Sequence, residues 1–262
     1  MLVLLAVNAA LGACRPHELD LSYKYPENGR ITYRMQAHAQ ATWDLGGPGS
    51  GSYRVAFDVV EQVRETEGEA VAVDVVMTPV SVQESGLPSP GNQARAFSLH
   101  IDRNGEVIDV LEIDGIAATA LDPDELAFIG TYRPPLPVDA VTLNGEWTSE
   151  LEVEVGNVFQ QVSINGVLES LDRDEEGPIA EIGYSGEGPL VWTTTLPQGE
   201  ADLTGSATTT SDALLDIDGG FLRAASSTTE GSFEVRVVAG EERAPIRGRL
   251  EFRLDLMLER TS

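Results

Sequence analysis

The stretch ARAFSLHIDRNGEVIDVLEI, residues 94–113, decides the fold. Phe97, Leu99 and Ile101 alternate with Ser98 and His100, the period of a strand that buries one face. Asn104-Gly105 follows, a pair that adopts positive φ at little cost, and the chain then runs on through Val107, Val110 and Ile113. Strand, tight turn and strand make an antiparallel hairpin. The same alternation of β-branched and aromatic residues, bounded by Gly, Asn, Asp and Pro, continues outward in both directions.

Upstream, strands are expected at 31–45, 52–65 and 70–82, with 46–51 as a loop. Downstream they are expected at 145–155, 157–172, 179–185, 190–195, 201–217, 221–238 and 247–259, with a second tight turn at Asp218-Gly219-Gly220. Several are long for strands, which suits a curved sheet with bulges. One short helix is expected near 122–130. Asp122 caps it, Pro123 takes the first position, Asp124 and Glu125 fill the first turn, Leu126 to Ile129 follow, and Gly130 ends it. Tyr132 to Pro137 then reads as an extended, polyproline-like connector.

The two sides of that connector resemble each other. Asn28-Gly29-Arg30-Ile31-Thr32 aligns with Asn144-Gly145-Glu146-Trp147-Thr148, and Leu99-His100-Ile101-Asp102 with Leu215-Asp216-Ile217-Asp218, both at an offset of 116. Val59 to Val63 matches Val167 to Leu171 at an offset of 108. A duplication follows, with a first β unit over 28–133 and a second over 134–262. The fold expected is mainly β: an antiparallel, strongly curved sheet or half-barrel from two related halves, with one short central helix. The halves pack face to face or join edge to edge.

Charge narrows the partners. Asp and Glu total 43 against 17 Lys and Arg, a formal net charge of -26, so the chain repels phosphate backbones and no nucleic-acid partner is expected. Cys14 is the single cysteine, which excludes an intrachain disulfide and a multi-cysteine metal site. Residues 1–13, MLVLLAVNAALGA, form an apolar run of signal-peptide length, too short to span a bilayer. The run ends in Leu11-Gly12-Ala13-Cys14, which resembles the lipobox of bacterial lipoproteins. That resemblance implies lipidation at Cys14, cleavage before it, and a membrane contact made through the N-terminal lipid. It also implies export and anchoring to the cell envelope, at the outer membrane or cell surface, with residues 14–27 as lipidated N-terminus and tether. The family carries Lys or Arg before the apolar run and this chain does not, so a start upstream of Met1 is an open alternative.

No catalytic constellation emerges, and a non-enzymatic protein without cofactors is expected. Ser50, in Gly47-Pro48-Gly49-Ser50-Gly51, and Ser185, in Gly183-Tyr184-Ser185-Gly186, miss the nucleophile-elbow spacing. His17, His38 and His100 are not at ligand spacing, and no metal site is expected. Asp102, Asn104 and Glu106 alternate as calcium ligands do, with Asp216 and Asp218 at the matching point of the second half, but a hairpin turn explains Asn-Gly fully and the later glutamate of a helix-loop-helix calcium site is missing, so a solvated turn is expected. Aromatic residues such as Tyr33, Trp43, Phe57, Trp147 and Phe252 fall on strands, as core residues or as the lining of an apolar cavity.

The lipobox, long antiparallel strands, central helix and Pro-rich connector together resemble the half-barrel of lipoprotein-carrier (Lol-type) lipoproteins, and the opening strand Arg30-Ile31-Thr32-Tyr33 is similar to that of a broad group of related bacterial lipoproteins. The resemblance implies a concave sheet face that accepts acyl chains. The expected function is that of an envelope lipoprotein binding a lipid or other hydrophobic ligand there. The alternative is a non-enzymatic surface interaction or structural module whose partner is another envelope protein.

Overall fold

The structure, a computed structural model, describes residues 18–67, 70–87, 93–120, 133–155, 158–196, 199–238 and 246–261. The alternating runs become strands β1 (Arg30–Asp44), β2 (Pro48–Glu67), β3 (Ala70–Ser85), β4 (Arg95–Ile101), β5 (Val107–Ile113) and β6 (Ile116–Ala117) in the first half. The second half supplies β7 (Glu146–Val155), β8 (Val158–Arg173), β9 (Pro178–Leu196), β10 (Gly199–Asp216), β11 (Phe221–Val238) and β12 (Ile246–Arg260). They form one twelve-stranded sheet in the order β6-β5-β4-β3-β2-β1-β12-β11-β10-β9-β8-β7. Each half is an antiparallel meander. The halves join edge to edge through β1 and β12, from Tyr33 opposite Arg260 to Asp44 opposite Arg249. The sheet is not closed into a barrel.

Four expectations need restating. The helix over 122–130 lies outside the described residues, among which the helical geometry is a single 3-10 turn, Ala118–Ala120. The expected loop 46–51 is mostly strand, because β2 already pairs with β1 at Pro48 opposite Asp44. Gly49 is required there by the Trp43 indole, which lies where a Cβ would stand. The break expected after Ser185 is absent, and β9 runs on through Gly186 to Pro189. Its ladder to β8 ends at Glu187, so the missing N–H of Pro189 deprives no partner on that side. The two halves share an Asn-Gly turn, and the residues that match beside it stand at a different offset from the one expected. Asn28 and Asn144 both have positive φ, of 56° and 59°. Gly29 N–H donates to Pro26 O and Gly145 N–H to Thr142 O, each at 2.7 Å. Beyond this shared turn, Gly29 O accepts from Val63 N–H and Gly145 O from Leu168 N–H, each beside a bulge. Val63 therefore matches Leu168, at an offset of 105, not 108; the extra length in the first half lies in the β1–β2 arms.

Alternation puts Tyr33, Ala37, Val55, Phe57, Val73, Leu99, Ile182, Leu215 and Leu258 on one face, in a single buried cluster with Leu21, Tyr23 and Leu136. Its curvature follows from two hydrogen bonds. In a flat sheet the β4–β5 and β10–β11 turns would be six strand spacings, about 29 Å, apart. Yet Tyr23 N–H donates to Arg103 O at 2.7 Å in the first turn, and Lys24 N–H donates to Gly220 O at 2.8 Å in the second. Two successive residues bridge the gap, so the sheet curls until its lower hairpins meet across the N-terminal strap.

Candidate functional site

The concave face is filled at its base, and its far end carries a second buried cluster of Ala201, Leu203, Val235 and Val237; between the two, no further layer covers it among the described residues. The base is filled by the strap, residues 18–27, and by the connector, 133–141. Leu19 and Val141 exchange backbone hydrogen bonds at 2.8 and 2.9 Å. The Tyr23 hydroxyl donates to Pro134 O at 2.9 Å, and Asn104 Nδ2 donates to Pro137 O at 2.7 Å. Arg133 enters this base at 5% exposure and pairs with Glu61 of β2, at 3%. Arg133 Nη1 also donates to the Tyr25 hydroxyl at 3.0 Å, and the guanidinium lies 4.8 Å and 5.2 Å from the ring centres of Tyr23 and Tyr25. Burial outweighs the guanidinium's opposing effect and pushes the Tyr25 hydroxyl up to about 12; burial likewise raises Tyr23 and Tyr33 well above the ordinary tyrosine range.

Above the base the side chains across the sheet become small. At one height Ser211, Ser227, Leu256, Ala37 and Val55 stand side by side; two residues higher come Thr209, Thr229, Leu254, Ala39 and Tyr53. Leu254, Leu256 and Phe252 of β12 and Tyr53 of β2 are half-buried and make an apolar wall. The hydroxyls of β10 and β11 adjoin it in the same sheet, with Thr209 Oγ1 2.9 Å from Thr229 Oγ1. No second layer of strands or helices packs over this part among the described residues. Tyr33 and Tyr184 also belong to this face, buried at 1% and 6% exposure, and neither hydroxyl has a hydrogen-bond partner among the described residues. Tyr184 meets Trp147 edge-on at 5.9 Å. The opposite face carries a polar groove of about 470 Å³ lined by Gln40, Thr42, Thr208, Glu230, Ser232 and Arg253.

The residues singled out from sequence are dispersed. Cys14 and His17 lie outside the described residues. His38 is on the outer face of β1, 3.9 Å from Asp255 and 3.2 Å from Gln40, while His100 is half-buried in β4. Ser50 and Ser185 sit within β2 and β9. The Asp102 carboxylate accepts from Asn104 N–H at 2.8 Å and Glu106 N–H at 2.9 Å, which is turn bonding. Asp216 pairs with Arg223 and accepts from Gly219 N–H at 2.6 Å. No group of three or more His, Cys, Asp or Glu able to hold a metal occurs among the described residues. The sequence reading passed over Arg133, Glu61 and the strap. Leu19, Leu21, Tyr23 and Tyr25 do alternate with polar residues, a strand-like signal inside the stretch taken for tether.

No family model and no curated protein matches the chain. Among solved structures it is similar to one described as lipid-protein interactions in lipovitellin, at 13% identity and a TM-score of 0.41. The match covers 89% of this chain and 25% of that one, so the chain spans about a quarter of that neighbour's length.

Proposed function

We propose that this protein is a lipoprotein of the bacterial cell envelope, anchored through Cys14, that holds a lipid or another hydrophobic ligand against the upper part of its concave face without transforming it. The carrying observation is the apolar wall of Phe252, Leu254 and Leu256 beside small residues, with no covering layer among the described residues. Such a wall takes acyl or other apolar groups, and the hydroxyls of the adjoining strands suit the ligand's polar end.

A second reading, an interaction module, is favoured by the filled base: Leu21, Tyr23 and Leu136 occupy the space a deep lipid cavity would need.

Native mass spectrometry with solvent extraction separates them, using protein purified from a bacterial envelope without detergent as residues 15–262, alongside the full chain and its Cys14→Ser variant. The expected result is a stoichiometric noncovalent lipid on the 15–262 protein and a covalent acyl mass on the full chain that Cys14→Ser lacks. A ligand-free mass with no uptake of added lipid removes the binding reading, and an unacylated full chain removes the anchor.

A further inference from the structure

The internal repeat makes one sheet edge a copy of another. β1 and β7 leave the same Asn-Gly turn, and Arg30 matches Glu146 in register, opposite Gln62 of β2 and Val167 of β8 respectively. β1 is paired on both sides: β2 takes one edge and β12 takes the other from Tyr33 to Asp44. β7 pairs with β8 on the corresponding first edge, and its second edge pairs with no strand among the described residues. The edge that accepts β12 in the first half is thus unpaired in the second among the described residues, on a strand of ten residues.

Its charge differs from that of the template. The basic residues Arg30, Arg34 and His38 of β1 correspond in sequence to Glu146, Glu150 and Glu154 of β7. In β1 these positions meet acids, with Arg34 opposite Glu259 and His38 opposite Asp255. Opposite charges across an antiparallel pair stabilise it and like charges destabilise it. A second copy of β7 is a poor partner, because opposed residues share a face and self-pairing sets Glu150 against itself or against Glu152, or Glu146 against Glu152. The far edge of the sheet, β6, has two residues and offers too short a ladder for head-to-tail growth.

We propose that the outward edge of β7 is a docking edge for an extended antiparallel strand of a partner protein, with Lys or Arg at alternate positions facing the glutamates and apolar residues between them. This inference is independent of the lipid-binding reading.

The probe is a capped ten-residue peptide of alternating Lys and Val, added to the full chain, with amide hydrogen exchange read by mass spectrometry over 146–155. Exchange in β7 is expected to slow at least tenfold at saturating peptide, and binding to weaken at least tenfold in 0.5 M salt. In the Glu146→Lys/Glu150→Lys protein, binding of the Lys-Val peptide is expected to fall more than tenfold while an alternating Glu-Val peptide gains it. Absence of binding, or binding that leaves β7 exchange unchanged, overturns the proposal, since the latter is adhesion to a chain of net charge -26 and nothing more. Protection of β7 that rises with protein concentration and without peptide assigns the edge to a second copy and overturns it as well.

Discussion

Arg133 shows how much one residue holds. Its guanidinium lies between Tyr23 and Tyr25 of the strap and pairs with Glu61, so a charge on the connector links the N-terminal segment to β2. A buried pair of this kind is costly to break because the surviving charge stays in a low-dielectric site. Glu61→Ala is expected to lose about 3–5 kcal/mol of stability, read as a lowered urea midpoint with an unchanged slope. A loss below about 1 kcal/mol, the range of exposed pairs, would mean that water reaches Arg133. Tyr33 and Tyr184 present the reverse case, hydroxyls buried without partners in the same face. Neither pattern is visible in sequence, where Arg133 looks like one residue of a Pro-rich connector and Glu61 like one more acid among 43.

At the scale of elements, the strap is the device that sets curvature. It contributes one buried leucine and two tyrosines, and its backbone joins the β4–β5 turn to the β10–β11 turn. Leu21→Ala removes a fully buried side chain and is expected to cost about 2–5 kcal/mol. The more telling effect is on exchange: amides of the turns at 102–106 and 216–221 should become faster together, though four strands lie between their hairpins in the sheet. Acceleration confined to one turn, measured by hydrogen exchange, would show that the strands' own twist and bulges hold the curl. The strands themselves were largely legible, since period-two alternation is a local property. The exceptions were stretches where Gly and Pro suggested breaks, at 46–51 and 186–189. There the neighbouring strands supply the pairing, and a large indole over Gly49 supplies the packing, that keep the chain extended.

For the molecule as a whole, both halves share one buried cluster, so their stabilities are tied. Tyr23, Tyr25, Tyr33 and Tyr184 are held neutral there, each raised above its ordinary value by burial first. A group whose folded value is raised contributes stability that is intact below its unfolded pKa, about 10 for tyrosine, and is lost as pH climbs toward the folded value. Stability is therefore expected to be unaffected by tyrosine ionisation up to about pH 10 and to fall steeply between about pH 10 and 12, the Tyr25 value. Tyrosinate absorbance should rise for these residues in the same transition that abolishes the β circular dichroism signal. Their ionisation in a sheet that keeps its signal would show that water reaches the base.

By itself the sequence determined the strand content, the antiparallel class, the repeat and the charge, because alternation, turn residues and composition act over a few residues or not at all on distance. It also carries the run Leu11-Gly12-Ala13-Cys14, whose resemblance to a lipobox is local in the same sense. Only the tertiary structure decided that the halves join edge to edge through β1 and β12, that the supposed tether from Leu19 onward is the strap closing the base, and that Arg133 meets Glu61. It alone decided which edge of the repeat is occupied and which is exposed. The physical reason is that these outcomes depend on pairings between residues roughly 70 to 230 positions apart, whose energies come from burial and register once the sheet has curled, and no local pattern encodes them.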